Sequence, residues 1–265
     1  MPLSAPNASK TVVVTGASSG IGEQISIQLA KRGHGVTLVA RRAERLEQLA
    51  EDLHIRFGVE AEAVACDLGD DAARAALAER LIAGKPLAGL VNNAGFGLIG
   101  DFKDNDPDRE REMVNLNIAV VHDLTLRLLP GMIKQGAGAI LNTASTAGFQ
   151  PVPGFATYAA TKAFVLSFSE ALAVELSGTG VSCTALCPGP VRTEFSDVAG
   201  DAGMEDRLPD FTVIPAEEVA KQAVDAMEIG RRELVPGLAN RIQSVAVRVA
   251  PRSLVLPVTR RLMRN

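Results

Sequence analysis

The chain has no tryptophan, one tyrosine, three cysteines and three histidines in 265 residues. Cys66, Cys183 and Cys187 are odd in number and lack metal-site spacing, which excludes a disulfide framework and points to inert buried thiols in a reducing compartment. His34, His54 and His122 have no clustered carboxylate or cysteine beside them, so surface or packing roles are expected and no metal site. The opening "MPLSAPNASK" has no apolar h-region, and no uncharged apolar run reaches the ~18 residues of a membrane span. A cytoplasmic location is the expectation. Neither sign of charge is in excess: the net charge is −4 with 22% charged residues, which gives no global attraction to nucleic acid. A hydrophobic fraction of 47% argues against disorder, and the length suits one α/β domain with a large core.

Short β-branched runs alternate with helical stretches. "TVVVT", "GVTLVA", "AEAVAC", "LAGLVNN", "GAILNTAS", "VSCTALCP" and "RELVPG" read as strands. Between them, residues 20–32, 43–57, 70–83, 107–134, 155–177 and 215–229 read as helices, the fourth carrying Pro130 near its end. Strands separated by helices of this length need crossover connections, which predicts a single doubly wound α/β domain with a parallel sheet and helices on both faces. Ligands of such sheets bind beyond the carboxyl ends of the strands.

Directly after the first strand comes "TGASSGIG", opening a helix. Gly16, Gly20 and Gly22 permit a tight turn and close backbone approach, so Gly16, Ser18, Ser19, Gly20, Ile21 and Gly22 form a candidate pyrophosphate loop at a helix N-terminus. The second strand ends in "LVARRAE", with Ala40 where an acidic residue would favour NAD. Arg41 and Arg42 instead offer charge-assisted donors to a 2′-phosphate, which favours NADP(H). Arg42 fits the solvated start of a helix equally well; Arg41 fits it less well. Asp67, after the third strand, suits either the adenine amino group or a helix N-cap.

The single tyrosine lies in "TYAATKAF", with Lys162 one helical turn after Tyr158. Together with the glycine loop, "NNAG" at 92–95 and "PGPVRT" at 188–193, this Tyr-x3-Lys pair resembles the short-chain dehydrogenases/reductases, with the motifs in family order across roughly residues 10–195. The resemblance implies cofactor contacts at Asn93, Ala94, Gly95, Tyr158, Lys162, Pro188, Gly189, Val191 and Thr193. It also implies a catalytic serine thirteen residues before the tyrosine, at Ser145, and an asparagine. Counting from Thr125 and Pro130 selects Asn117 over Asn115 for the latter, with a water-holding role.

Carbonyl reduction needs a proton donor at the oxygen that receives charge. Tyr158 is that acid; an unperturbed phenol near pKa 10 is too weak, and Lys162 is expected to stabilise the phenolate. Ser145 polarises the substrate oxygen. Residues 194–214 lack periodicity and read as a substrate lid, and Phe96, Phe149 and Phe195 are candidates either for an apolar pocket or for ordinary core. The substrate expected is a carbonyl or alcohol with an apolar portion.

After Glu233 no acidic residue occurs, while Arg241, Arg248, Arg252, Arg260, Arg261 and Arg264 accompany Ile242, Val245 and Val249 at helical spacing. This basic extension, 238–265, suits a subunit interface in a homodimer or homotetramer better than an anionic membrane surface. Two other readings share the glycine loop: a dinucleotide-sensing regulatory protein and a nucleotide-binding methyltransferase. Neither needs Ser145, Tyr158 and Lys162 together.

Overall fold

Every run read as a strand enters one sheet in the computed structural model, which describes residues 3–203, 206 and 208–262. The strands are β1 (Thr11–Thr15), β2 (Gly35–Ala40), β3 (Ala61–Ala65), β4 (Leu87–Asn92), β5 (Gly138–Thr143), β6 (Val181–Leu186) and β7 (Glu233–Leu234), in the order β3-β2-β1-β4-β5-β6-β7. All neighbours pair in parallel. Because side chains alternate across a strand, consecutive valines of β1 serve opposite layers. Val12 and Val14 pack with Ile25 and Leu29 of α1 (Gly20–Lys31), Leu46 and Leu53 of α2 (Ala43–Phe57) and Val219 and Met227 of α8 (Ala216–Ile229). Val13 packs with Leu77 of α3 (Asp71–Ala83), Leu124 and Leu128 of α5 (Val120–Gln135) and Leu172 of α6 (Ala156–Glu175). Chain direction across the sheet reverses between β1 and β4, which opens the ligand crevice at their carboxyl ends.

The predicted helix 107–134 is one rod: α4 (Pro107–Val114) runs into a π-helical turn, Asn115–Ala119, and then into α5. Pro130 lies inside α5 without ending it, since it is exposed and water can satisfy the carbonyl its ring orphans. The strand read through Ser145 stops at Thr143, and the Ala144 N–H makes the last bond to β6, to the Leu186 carbonyl at 2.7 Å.

The segment read as a lid, residues 194–214, contains a five-residue helix, α7 (Phe195–Ala199), and a 3-10 turn at Asp210–Thr212, both too short to leave a periodic pattern. Its Met204, Glu205 and Arg207 lie outside the described residues, as does Arg264 of the basic tail. The tail forms α9 (Leu238–Val249) and α10 (Arg252–Leu262). In α9 the polar Asn240 and Ser244 are the buried positions and the stripe Ile242, Val245 and Val249 faces outward.

Candidate active site

The start of α1 is built to receive an anion. Ser19 stands at the N-cap without a side-chain cap bond, so the first backbone N–H groups of the helix keep no internal partner. The turn before it passes so close to the first turn of α1 that Gly22 tolerates no side chain, since an added Cβ would come within 2.4 Å of the Gly16 carbonyl oxygen. From the other side, Thr193 packs on Gly20, so the 188–193 segment crosses over the glycine loop. The Asn93 N–H donates to Thr15 Oγ1 at 2.9 Å and its amide to the Thr15 carbonyl at 3.2 Å, which binds the end of β4 to the end of β1. The site thus fits a dinucleotide pyrophosphate: uncapped donors, a close backbone approach and a clamp from the opposite strand.

At the ribose end it is Arg42, not Arg41, that reaches the loop. Arg42 donates through Nε to Ser18 Oγ at 3.0 Å and through one terminal nitrogen to the Ser18 carbonyl at 3.2 Å and Ser19 Oγ at 2.7 Å. Arg41 is exposed and makes none of these bonds. The N-cap reading of Asp67 is corrected: Asp70 caps α3, accepting from Ala73 N at 2.7 Å, while Asp67 accepts from Gly69 N at 2.9 Å in a local turn. Asp67 lies three residues too early, because the chain turns once more before the helix begins.

The chemical end gathers Ser145, Tyr158, Lys162 and Asn117. Ser145, 8% exposed, accepts from Ala147 N at 3.1 Å, and its hydroxyl lies 3.5 Å from the Pro188 carbonyl. Lys162 Nζ donates to the Thr143 carbonyl at 2.8 Å and lies 5.7 Å from the centroid of the Tyr158 ring. Asn117 is fully buried in the π-helical turn; it accepts from Phe96 N at 3.1 Å and donates to Phe96 O at 2.9 Å and Thr161 Oγ1 at 3.1 Å. A side chain at Gly95 would strike it, since a Cβ there lies 2.7 Å from Asn117 Oδ1. Asn115 instead donates to the Gly69 carbonyl at 2.9 Å, a packing role.

The expected depression of the phenol pKa is absent in this conformation. Burial pushes Tyr158 up to about 12, against a smaller opposing pull from the Ser145 hydroxyl. Burial also pushes Lys162 down to about 8. Both charged forms are desolvated at once, and the ammonium sits over the ring, 5.7 Å from its centroid.

Aromatic rings account for that burial. Phe155 stacks on Tyr158 with centroids 4.2 Å apart, and Phe195 of α7 lies 5.4 Å from Tyr158. Phe96, Leu98, Ile99 and Met113 complete the apolar wall. Phe149 is not part of it: it packs on Val121, Val165 and Val235 beneath the Arg248 guanidinium. Beyond the wall, a cleft of about 790 Å³ is lined by Ile99, Pro153, Leu256, Arg260 and Arg261 among others. Among the described residues, no cluster of three His, Cys, Asp or Glu is placed to hold a metal.

Four contributors were not singled out from sequence: Phe155, Arg45, Glu194 and Asn240. Phe155 directly precedes the Tyr-x3-Lys helix, and Arg45 lies one turn after Arg42. Glu194 follows "PGPVRT". Asn240 packs on Gly189 and donates to the Thr212 carbonyl at 3.0 Å, tying the far end of the 194–214 segment to α9; no local pattern marks it.

The family model described as short chain dehydrogenase matches residues 10–202. The chain belongs to this family. Among curated relatives, sulfoacetaldehyde reductase 2 of Chromohalobacter salexigens is 39% identical over 219 residues, 80% of this chain and 86% of that protein. The very-long-chain 3-oxoacyl-CoA reductase of Anas platyrhynchos is 35% identical over 201 residues, covering 73% of this chain but only 64% of the relative's length. Among solved structures, a short-chain dehydrogenase from Sphingobium yanoikuyae in complex with NADPH superposes with a TM-score of 0.80 at 36% identity, over 89% of this chain and 92% of that one.

Proposed function

We propose that this short-chain dehydrogenase is NADP(H)-dependent and interconverts a carbonyl and a secondary alcohol or primary alcohol bearing an apolar portion. The observation that carries the reading is the joint burial of Ser145, Tyr158 and Lys162, with Ser145 lying on Pro188 of the segment that also covers the glycine loop. Bound NADPH would supply a hydride there. The uncapped start of α1 with Gly16, Ser18, Ser19, Gly20, Ile21 and Gly22 would hold its pyrophosphate, Arg42 and Arg45 its 2′-phosphate, and Asn93, Val191 and Thr193 the nicotinamide half.

The remaining roles belong to the chain itself. Ser145 orients the substrate oxygen and Tyr158 passes it a proton, a step worth about 10²–10⁴ in rate. Lys162 holds positive charge beneath the phenol once the site is wetted, and Asn117 keeps the end of β4 open toward Lys162. The wall of Phe96, Leu98, Ile99, Phe155 and Phe195 favours an apolar substrate portion. Reduction is the preferred direction, in keeping with the reductase names of the relatives at 39% and 35% identity and with the NADPH complex of the structural neighbour.

Free Cys66, Cys183 and Cys187 agree with a reducing, cytoplasmic setting. Exposed Leu126 and Ile133 of α5 and Phe164 and Val174 of α6 offer a face for a second copy, as does the outward stripe of α9. A dinucleotide sensor would need the crevice without the buried acid. Titration with NADPH and NADH, followed by turnover on a panel of aldehydes and ketones of graded apolar size, tests the proposal. Tight NADPH binding with no turnover across the panel would favour the sensor.

A further inference from the structure

The Glu194 carboxylate sits between two guanidinium groups. Its Oε2 accepts from Arg42 at 2.8 Å and its Oε1 from Arg45 at 2.7 Å. Arg42 is the residue that also grips Ser18 and Ser19 at the mouth of the glycine loop. An anion therefore already occupies the donors that would hold a 2′-phosphate. The two guanidiniums keep this carboxyl far below the usual range, at about 2. It stays ionised at any working pH and cannot make room for a phosphate by taking up a proton.

Glu194 also links two ends of the site. It stands at the N-cap of α7, directly after Thr193, which lies on Gly20, and directly before Phe195, whose ring is 5.4 Å from Tyr158. Whatever holds Glu194 holds Phe195 over the phenol. Glu23 of α1 shares this neighbourhood; its carboxyl is raised, first by burial, with repulsion from Glu194 adding to the rise against the pull of the arginines. A second anion entering this space meets like charge and displaces the weaker one.

We propose that Glu194 is a built-in stand-in for the cofactor's 2′-phosphate, and that the phosphate takes Arg42 and Arg45 from it, frees α7 and uncovers Tyr158. This rests on the NADP(H) reading above. A dianionic phosphate brings more charge and more acceptor oxygens than a carboxylate, so it wins the two arginines. A cofactor without the 2′-phosphate leaves the latch closed. Discrimination then appears in turnover as well as in affinity, because NADH binds under a shut lid. Glu194 is in this sense a specificity-determining residue that never touches the substrate.

The test uses fragments that lack nicotinamide: adenosine 2′,5′-bisphosphate and adenosine 5′-monophosphate. Tyr158 is the only tyrosine and the chain has no tryptophan, so acrylamide quenching of its fluorescence reads the lid directly. In the wild-type protein, saturating bisphosphate is expected to raise quenching at least about twofold, while saturating monophosphate leaves it unchanged. Glu194→Gln is expected to show the raised quenching without ligand, to bind the bisphosphate about tenfold more tightly by calorimetry, and to gain turnover with NADH. If the bisphosphate binds the wild type better than the monophosphate but quenching stays flat, the latch is overturned and the NADP(H) reading stands. Equal binding of the two fragments would remove both.

Discussion

The rings of Phe155 and Tyr158 lie stacked, 4.2 Å between centroids and 23° between planes. The phenol oxygen is thus the polar edge of an otherwise apolar wall. Tyr158→Phe preserves the stack and removes only the transferable proton. Turnover is expected to fall by about 10³ or more, with NADPH affinity unchanged within about twofold. Near wild-type turnover in this variant would refute the acid role.

Phenolate absorbance follows Tyr158 alone, and without cofactor its ionisation is expected only at about 12. Saturating NADP+ should bring the midpoint down by at least about two units, as the site is wetted and Lys162 regains its charge. A midpoint that ignores the cofactor would mean that Lys162 does not act on the phenol.

Lys162 makes the cofactor-free fold pH-dependent. Its folded pKa of about 8 lies below the ordinary lysine value of 10.5, so between these limits the unfolded chain binds the extra proton and stability rises with pH. The Tyr158 shift, from 10.0 to about 12, acts oppositely at the higher pH, where the folded chain keeps the proton. Lys162→Met removes the buried charge and loses the bond to Thr143 O. Because the desolvation relieved exceeds the roughly 1 kcal/mol of one hydrogen bond, the variant should be more stable near neutral pH by about 1–2 kcal/mol. Urea unfolding at a series of pH values should show this advantage shrinking from pH 8 upward; a constant gap would contradict it.

Arg42 and Arg41 separate in a cofactor assay. Arg42→Ala is expected to weaken NADPH binding about 10- to 100-fold, in line with ~1.5–3 kcal/mol per charged hydrogen bond, and to change NADH by less than about threefold. Arg41→Ala should be milder on NADPH. Fluorescence titration decides, and equal losses for both cofactors in Arg42→Ala would assign the arginine to the loop's structure alone.

What was legible in the sequence is what is local. The glycine loop, the Tyr158–Lys162 turn and the β-α alternation each lie within a few residues, and each stands where it was expected. The ion pairs of Glu194 with Arg42 and Arg45 join residues some 150 positions apart, which no periodicity records. Phe155 reads as ordinary helix start until its ring is seen on Tyr158. Arg41 and Arg42 are equal as letters, and only the turn into α2 aims one at Ser18 and the other at solvent. The high phenol pKa of the cofactor-free fold is illegible for the same reason, since spacing supplies a nearby cation but not the depth at which both groups lie.

The π-helical turn at Asn115–Ala119 has one more residue than an α-helical turn would hold. The rod on its two sides is therefore out of phase by about one residue, roughly 100° of rotation. Before the turn, Met113 faces the wall around Tyr158; after it, Val120, Leu124 and Leu128 face the sheet. Excising a single residue within 115–119 would restore a regular helix and swing one half away from its partners. The extra residue works as a phase shifter, letting one continuous rod serve both the scaffold and the chamber it encloses.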